Sequence, residues 1–339
     1  LFKLAIPTVI AQLVNMLYNI VDRIYIGHIP GEGSLALTGV GVCMPIIMIV
    51  SAFACLVSAG AAPRASIAMG KGDHESAEKI LGGCVTLQIM ISLALTIVIL
   101  IWNRDLLLLF GASENTISYA TSYMSLYALG TIFVQMTLGL NAFITAQGFA
   151  KDGMMTVLIG AVINIILDPI FIFGLNLGIS GAALATALSQ CISFGILFFQ
   201  SLLRKDCVHL KPGKITLSLS LYGEILHGGI PSLCRQGVAS IATAALNVAA
   251  NPFGDAAIAA LSIVSRYMMF IGSAMIGFGQ GFQPVCGFNF GAKRYDRVLE
   301  AFWFCVKVAV VFLVTLSVVS FVGAPQIMRI FRKEDLDVI

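Results

Sequence analysis

The stretch LAIPTVIAQLVNMLYNIVDRIYIG, residues 4–27, decides the fold of this chain. It is long enough to cross a bilayer as a helix, because about 20 apolar residues at a rise of about 1.5 Å span a hydrocarbon core of about 30 Å. A buried ionisable residue in such a helix costs about 2.5–3.5 kcal/mol on insertion scales, so Asp22 is a candidate functional residue. The alternative is that Asp22 lies at the membrane interface and faces water. For Arg23, whose long side chain can reach the interface, the functional and the interfacial interpretations are equally open.

The whole chain has the composition of a polytopic membrane protein that lies in the lipid bilayer. Of its 339 residues, 58% are hydrophobic and 11% are charged, whereas soluble domains carry about 25% charged residues. The net charge of +3 is too small to indicate a nucleic-acid partner. The eight cysteines are scattered without a CxxC or Cys/His cluster, which indicates neither a disulfide framework nor a zinc site. Because the chain begins at Leu1 directly before a span, we expect the N-terminus to be incomplete.

Nine hydrophobic runs predict nine membrane-spanning helices, and the fold class is therefore all-α. The runs cover 4–27, 37–62, 80–102, 119–147, 154–174, 180–203, 223–250, 256–288 and 300–322.

Lysine and arginine residues in the connections predict the orientation of these spans. One alternate set of termini and loops is rich in them, and the other set holds only Arg104, Arg329, Arg332 and Lys333. The rule that cytoplasmic loops are rich in lysine and arginine places the first set, with the N-terminus, in the cytoplasm. The first set consists of Lys3, Arg64, Lys71, Lys79, Lys151, Arg204, Lys205, Lys211, Lys214, Lys293, Arg294 and Arg297.

An internal repeat relates the beginning of the chain to its last third. Ile6-Pro7 matches Ile230-Pro231, and this match defines the first register of the repeat. After one short loop the register shifts slightly and then stays constant. In this second register glycines, a proline and a phenylalanine coincide: Gly33 with Gly254, Gly60 with Gly281, Pro63 with Pro284, Gly70 with Gly291, and Phe110 with Phe331. Since six spans precede residue 223, the two halves have the same orientation, a parallel repeat found in transporters.

This repeat predicts the domain organisation. A complete second half would supply six spans, whereas only three follow residue 222. We therefore expect a two-lobe bundle of 12 helices, truncated here after about nine. The predicted parts are an N-terminal six-helix lobe at 1–203, a cytoplasmic linker at 204–222 and an incomplete C-terminal lobe at 223–339.

Polar residues of three different spans are predicted to lie at one depth. Span one runs outward with Asp22 close to its outer end, and span five runs outward with Asp168 at a similar distance from its end. Asn164 lies one turn from Asp168 on the same face, and Thr186 lies at the matching level below the outer start of span six. If these spans pack together, the oxygens can surround Na⁺, a hard cation, or the two carboxyls can share a proton. The sequence leaves both ions open.

Some of these residues also have a purely structural interpretation. Asp168 precedes Pro169, and Asp-Pro near a helix end is often a turn or a kink. Asn15 and Tyr18 lie within two turns of Asp22 and can either line a polar path or join helices by hydrogen bonds.

Span seven carries the Arg235-Gln236 pair just after Pro231. A mid-membrane arginine pairs with an acid or faces a water-filled cavity, so we expect a functional role. The glycine-rich GFGQGFQP at 277–284 lacks the lysine of a phosphate-binding loop and indicates close helix packing. The sequence contains no Ser/His/Asp set, HExxH motif or pair of catalytic carboxylates, so we expect neither an enzyme nor a cofactor other than a coupling ion.

Four motifs resemble the multidrug and toxic compound extrusion (MATE) family. They are IPT at 6–8 followed by VDRIYIG at 21–27, NIILDPIFIFG at 164–174, GAALATALSQ at 181–190, and QPVCGFNFGAKR at 283–294. The resemblance covers the whole chain, which corresponds to roughly three quarters of a family member.

The resemblance implies two six-helix lobes around a central cavity, and export of cationic amphipathic drugs in exchange for Na⁺ or H⁺. It implies that the coupling ion binds at Asp22, Asn164, Asp168 and Thr186. Pro7 matches the proline of the family's bent first helix, and Tyr18 and Asn141 match polar positions near the cavity. Some members carry a glutamate in span seven, where this chain has Arg235 and Gln236, as in the MepA-like branch.

We therefore expect a secondary active exporter in the bacterial inner membrane, with a cytoplasmic N-terminus, small cationic substrates and a monomeric state. The nearest alternative is a flippase for lipid-linked saccharides of the same superfamily, which would need a cavity rich in basic residues. A membrane-embedded enzyme lacks its catalytic group here, and the repeat and the membrane carboxylates argue against a receptor or scaffold.

Overall fold

A computed structural model describes residues 1–203, 208, 218–250 and 255–323. In these residues the chain forms ten α-helices, numbered in chain order: α1 (Phe2–Gly27), α2 (Gly33–Gly70), α3 (His74–Ile101), α4 (Asn103–Leu109), α5 (Ile117–Ala146), α6 (Ala150–Pro169), α7 (Gly178–Leu203), α8 (Leu219–Ala250), α9 (Asp255–Gly291) and α10 (Tyr295–Val322). A π-helical turn, Ile170–Gly174, continues α6. We call α1–α7 the first half and α8–α10 the second half.

The all-helical membrane architecture predicted from hydropathy is confirmed. Within the described ranges, seven helices are long and apolar enough to cross a membrane: α1, α2, α3, α5, α6 with its π-helical end, α7 and α10. Helices α8 and α9 follow the other two predicted spans. The short helix α4 was not predicted, because its hydrophobic run is too short to detect.

Helix α2 continues well past the end of its hydrophobic run. The run in span two stops at residue 62, whereas α2 continues through Pro63 to Gly70. Its counterpart α9 also contains a proline, Pro284, but ends at Gly291, close to the end of the predicted run at residue 288. Hydropathy reports where apolar side chains stop, whereas a helix is held by backbone hydrogen bonds that continue past that point.

The first half is organised around α5, which packs against α2, α3 and α7. One buried cluster toward the predicted outer side contains Ile26, Val50 and Met124. A second cluster contains Leu81, Phe143 and also Ile225 of α8. The second half is therefore attached to the first through this inner core.

The contacts between the halves follow the internal repeat. Gly70 of α2 lies directly against the Phe288 carbonyl of α9, and Gly291 lies directly against the Ile67 carbonyl. Gly70 and Gly291 are repeat partners, and Ile67 and Phe288 are partners in the same register. The two contacts are thus equivalent by two-fold pseudosymmetry. A Cβ at either glycine would overlap the facing backbone, which is why the close crossing needs glycine.

The same two-fold pseudosymmetry relates the contact between α8 and α2 to the contact between α1 and α9. Helix α8 packs on α2 where Gly60 meets the Ile225 carbonyl, and α1 packs on α9 where Gly281 meets Ala5. Arg64 and Glu224 form an ion pair between α2 and α8 on the same side. These contacts join the ends of the helices that the charge distribution assigns to the cytoplasm.

Candidate functional site

Helices α1, α6 and α7 bring together the four polar residues predicted to share one depth. Asn164 and Asp168 lie one turn apart on α6, and α6 packs against both α1 and α7. Asn164 Nδ2 donates to Asp168 Oδ1 at 3.3 Å and lies 3.5 Å from Thr186 Oγ1 of α7. The Asp22 carboxyl of α1 lies within hydrogen-bonding reach of the Asp168 carboxyl.

The site is buried and rich in hydrogen-bond acceptors. Asp22, Asn164 and Asp168 are 8%, 1% and 0% exposed. One oxygen of each, Asp22 Oδ1, Asn164 Oδ1 and Asp168 Oδ2, is buried without a hydrogen-bond partner among the described residues. A buried acceptor left unpaired costs about 1–3 kcal/mol, more when it is charged. These three oxygens are therefore available to accept from a donor or to bind a cation.

The chemistry of this set fits two ions. Ionised carboxylates only accept hydrogen bonds, so two of them can face each other stably only with a proton or a cation between them. Carboxylate, amide and hydroxyl oxygens are the ligands that hard cations prefer. Asp22, Asn164, Asp168 and Thr186 can thus hold Na⁺ or a shared proton.

The backbone at Asp168 departs from a regular helix end. Helix α6 does not stop at Asp168-Pro169, because the chain continues as the π-helical turn Ile170–Gly174, with Leu175 N–H donating to the Ile170 carbonyl at 2.8 Å. Proline has no N–H to donate to the preceding turn, and π-helical turns occur frequently at functional sites. Asp168 is thereby held inside the bundle instead of in a surface turn.

Aromatic and amide side chains surround the carboxyl pair. The Tyr18 hydroxyl lies within hydrogen-bonding reach of Gln190 and interacts electrostatically with Asp22, and Tyr123 of α5 lies close to Asp22 as well. Tyr123 stacks on Tyr127 with ring centroids 6.3 Å apart. Sequence reasoning missed Gln190, Tyr123 and Tyr127. Tyr123 and Tyr127 lie one helical turn apart, and this spacing was the feature of the sequence that could have identified them.

The other predicted site residues lie outside this cluster. Pro7 lies within α1, and Asn15 is half-buried on the same helix. Asn141 donates from Nδ2 to the Gly153 carbonyl at 3.0 Å, which joins α5 to α6. Arg235 is exposed on α8, and the adjacent Gln236 reaches the Cys55 thiol of α2.

Comparison with known proteins gives a match to one family. The sequence model of the MatE family matches residues 7–170 and 231–338. The two matched segments begin at Pro7 and Pro231, which are partners in the internal repeat.

The chain is similar to the multidrug export protein MepA of Staphylococcus haemolyticus, strain JCSC1435, at 27% identity over 97% of this chain and 72% of the relative. MepA of Staphylococcus aureus, strain NCTC 8325 / PS 47, is 28% identical over 94% of this chain and 70% of the relative.

Two solved structures have the same fold. A MATE protein in the bent conformation aligns with a TM-score of 0.90 and 27% identity over 99% of this chain and 75% of that one. An outward-facing MATE family multidrug resistance transporter aligns with a TM-score of 0.88 and 26% identity, covering 98% and 73%.

Proposed function

The chain belongs to the MatE (MATE) family of membrane transporters, and from this premise we propose that it is a secondary active antiporter that exports cationic amphipathic compounds in exchange for Na⁺ or H⁺. Membership in a transporter family also confirms the expectation that the protein is not an enzyme. The MepA relatives are multidrug export proteins, which supports small drug-like compounds as the substrates of this chain.

The observation that carries the ion-coupling proposal is the contact between Asp22 and Asp168. Their facing carboxyls, with three buried acceptor oxygens lacking partners around them, are stable only when a proton or cation is present. Asn164 orients Asp168 by donating to it, and Thr186 adds a hydroxyl at the same level. Binding and release of one ion therefore changes how firmly α1 is held against α6.

Helix α1 is suited to transmit this change to the interface between the halves. Asp22 lies near one end of α1, whereas Thr8 near the other end donates to the Gly277 carbonyl of α9 at 2.7 Å. Pro7, next to Thr8, lacks an N–H for the helix ladder and gives α1 a point of bending. We propose that ion binding at Asp22 and Asp168 changes the bend of α1 and with it the shape of the cavity.

The organisation follows from the same proposal. We infer two six-helix lobes joined by the segment 204–222, which lies mostly outside the described residues, in the bacterial inner membrane with a cytoplasmic N-terminus. Asn15, Tyr18, Asn141, Arg235 and Gln236 would contribute to the substrate cavity or its support. We expect the protein to act as a monomer.

Efflux of a fluorescent cationic dye from cells expressing the protein tests this function. The dye is loaded, and its release is followed with and without a Na⁺ gradient and with a protonophore. The expected result is energy-dependent release that stops when one of the two gradients is removed. Absence of release under both gradients would contradict a drug exporter, and lipid-linked saccharides would then be the substrates to test.

A further inference from the structure

Helix α1 is in backbone contact with α9 on both sides of its own proline. A Cβ at Gly277 would overlap the backbone of Val9, and a Cβ at Gly281 would overlap that of Ala5. Pro7 lies between these two points of α1 and has no N–H to donate to the preceding turn. The position at which α1 can bend is therefore the position at which it is held against α9.

Thr8 makes the hydrogen bond that joins the two helices at this point. Its hydroxyl oxygen lies 2.7 Å from the carbonyl oxygen of Gly277 in α9. It also lies 2.9 Å from the Ala5 carbonyl oxygen and 3.0 Å from the Leu4 carbonyl oxygen within α1. A hydroxyl has one proton to donate. The bond across to α9 and the bonds back to α1 therefore compete for the same proton.

The Thr8 hydroxyl is shielded from water in this crossing. Thr8 is 5% exposed, and its contact with Gly277 is buried. One turn further along α1, by contrast, Gln12 Nε2 donates to Gln280 Oε1 at 3.0 Å in an exposed contact, where water can replace either partner. A buried donor without a partner is costly. When the Gly277 carbonyl moves away, the carbonyls of α1 are thus the acceptors within reach of the Thr8 proton.

The two choices of acceptor have different effects on α1. A threonine that donates back to the carbonyl three or four residues earlier often bends its helix. In α1 such a bend would add to the one that Pro7 permits. Donation to Gly277 instead holds the α1 backbone against α9. The same proton therefore either joins the two halves or promotes the bend of α1.

We propose that Thr8 is a positioning residue that couples the bend of α1 to closure of the inner end, by which we mean the helix ends that the charge distribution assigns to the cytoplasm. With the halves joined, its proton is donated to Gly277. With the halves apart, the proton is donated to Leu4 or Ala5, and α1 bends at Pro7. This inference rests on the proposed function, in which ion binding changes the bend of α1, and adds the residue through which that bend reaches the second half.

Distances between spin labels test this coupling on the purified protein in lipid nanodiscs. One pair of labels, at Lys3 of α1 and Asp296 in the first turn of α10, reports separation of the inner end. The other pair, at Lys3 and Leu17, spans Pro7 and reports the bend of α1. All three labelled positions are exposed.

Three variants isolate the hydroxyl. Thr8→Val replaces it by a methyl group of similar size, whereas Thr8→Ser keeps it. The matched control is Thr121→Val, near the predicted outer end of α5. Thr121 makes the same two bonds back along its helix, to the Ile117 carbonyl at 2.8 Å and the Ser118 carbonyl at 3.0 Å.

Thr8→Val is expected to raise the fraction of molecules with a separated inner end about fivefold, since one buried hydrogen bond is lost from the joined state. The fraction with a bent α1 should stay within about twofold, because the bond back to α1 is lost as well. In the unmodified protein, Thr8→Ser and Thr121→Val, the separated and the bent fractions should agree within about twofold.

Three results would each overturn the proposal. The first is an unchanged separated fraction in Thr8→Val. The second is an equal increase in Thr8→Ser or in Thr121→Val, which would show that the hydroxyl of Thr8 is not the cause. The third is a bent fraction that rises together with the separated fraction in Thr8→Val.

Dye release measured on the same variants separates this inference from the proposed function. Dye release by the unmodified protein, with both fractions rising together in Thr8→Val, contradicts the inference and leaves the exporter intact. Coupling of the two distances that requires the Thr8 hydroxyl, without dye release under either gradient, supports the role of Thr8 and contradicts the export function.

Discussion

The first three membrane-spanning helices of each half make equivalent packing contacts but differ in their charged residues. Gly70 and Gly291 make equivalent contacts in the central crossing, yet the position of Asp22 in α1 is occupied by Leu246 in α8. Conversely, Arg235 in α8 replaces Ala11 in α1. The glycines that let two backbones touch occur in both halves, because a Cβ there would overlap the facing backbone, whereas the charged residues outside the crossing differ between the halves. Among the described residues the facing carboxyl pair lies in the first half, where we propose that the ion binds, whereas the close glycine crossing uses both halves.

Neutralising the carboxyls of Asp22 and Asp168 tests the difference between the two halves with the largest expected effect. Asp22→Asn or Asp168→Asn keeps the side-chain shape and removes the ionisable group, and we expect dye efflux to fall by about a hundredfold, since a buried charged contact contributes about 1.5–3 kcal/mol. Initial efflux rates from dye-loaded cells measure the effect.

The matched control places the same amide at the equivalent site of the second half. Leu246 is 54% exposed, so Leu246→Asn introduces an amide without opening a core, and efflux should remain within about twofold of the unmodified protein. Loss of efflux in Leu246→Asn comparable to that in Asp22→Asn would refute the assignment of ion binding to one half.

Alanine substitution at Gly70 and Gly291 tests whether the two halves contribute equally to the α2–α9 crossing. A Cβ at Gly70 overlaps the Phe288 carbonyl and a Cβ at Gly291 overlaps the Ile67 carbonyl, and overpacking of this kind costs about 1–3 kcal/mol. We expect Gly70→Ala and Gly291→Ala to shift the population about tenfold toward states with a separated inner end, and to do so equally. Distances between spin labels on α2 and α9 report this opening.

Gly41 in α2 and Gly279 in α9 provide the controls for this pair. An added Cβ at either position meets no atom within 4 Å. Gly41→Ala and Gly279→Ala should therefore leave the label distances unchanged. A strong effect of Gly70→Ala together with none of Gly291→Ala would show that the crossing is not two-fold equivalent.

A smaller difference lies at the start of α3 and of its counterpart α10. Asp73 caps α3 by accepting the Ser76 N–H at 2.9 Å, whereas the equivalent residue, Arg294, makes no side-chain cap on α10. Asp73→Ala should lower the thermal unfolding midpoint by about 1–2 °C and Arg294→Asp should raise it by a similar amount. Thermal unfolding of the purified variants in detergent measures both shifts.

The cap also predicts a pH dependence. Hydrogen bonds from the Ser76 hydroxyl and backbone N–H hold the pKa of Asp73 below its ordinary value. A lowered folded pKa means that the contribution is complete above the unfolded pKa of about 4 and is lost as the pH falls through the folded pKa. The difference in midpoint between Asp73→Ala and the unmodified protein should therefore vanish at strongly acidic pH.

The sequence was sufficient for the spans and for the residues that meet at the carboxyl pair. Asp22, Asn164, Asp168 and Thr186 could be found because hydropathy gives the bounds of each span and the lysine and arginine distribution gives its direction, and together these give each polar residue a depth. The structure adds their lateral arrangement: α6 lies between α1 and α7, which hydropathy alone does not specify.

Other features depend on contacts that no local pattern reports. Tyr123 and Tyr127 have the spacing of ordinary core aromatics, and only the position of α5 brings Tyr123 beside Asp22. The π-helical turn after Pro169 depends on how the α6 end packs against α7, because a proline alone is equally consistent with a kink or a stop. Asn141, a predicted cavity residue, bonds to the Gly153 backbone, and its role in the cavity stays a prediction.

Ion movement triggered by substrate tests the central claim most directly. The purified protein is reconstituted into vesicles that contain a pH-sensitive dye or radioactive Na⁺, a cationic substrate is added on one side, and the counter-movement of H⁺ or Na⁺ is recorded. The unmodified protein and Leu246→Asn should both show substrate-dependent movement of the same single ion, and Asp168→Asn should show none. Undiminished ion movement in Asp168→Asn would contradict the assignment of the coupling ion to the carboxyl pair of the first half.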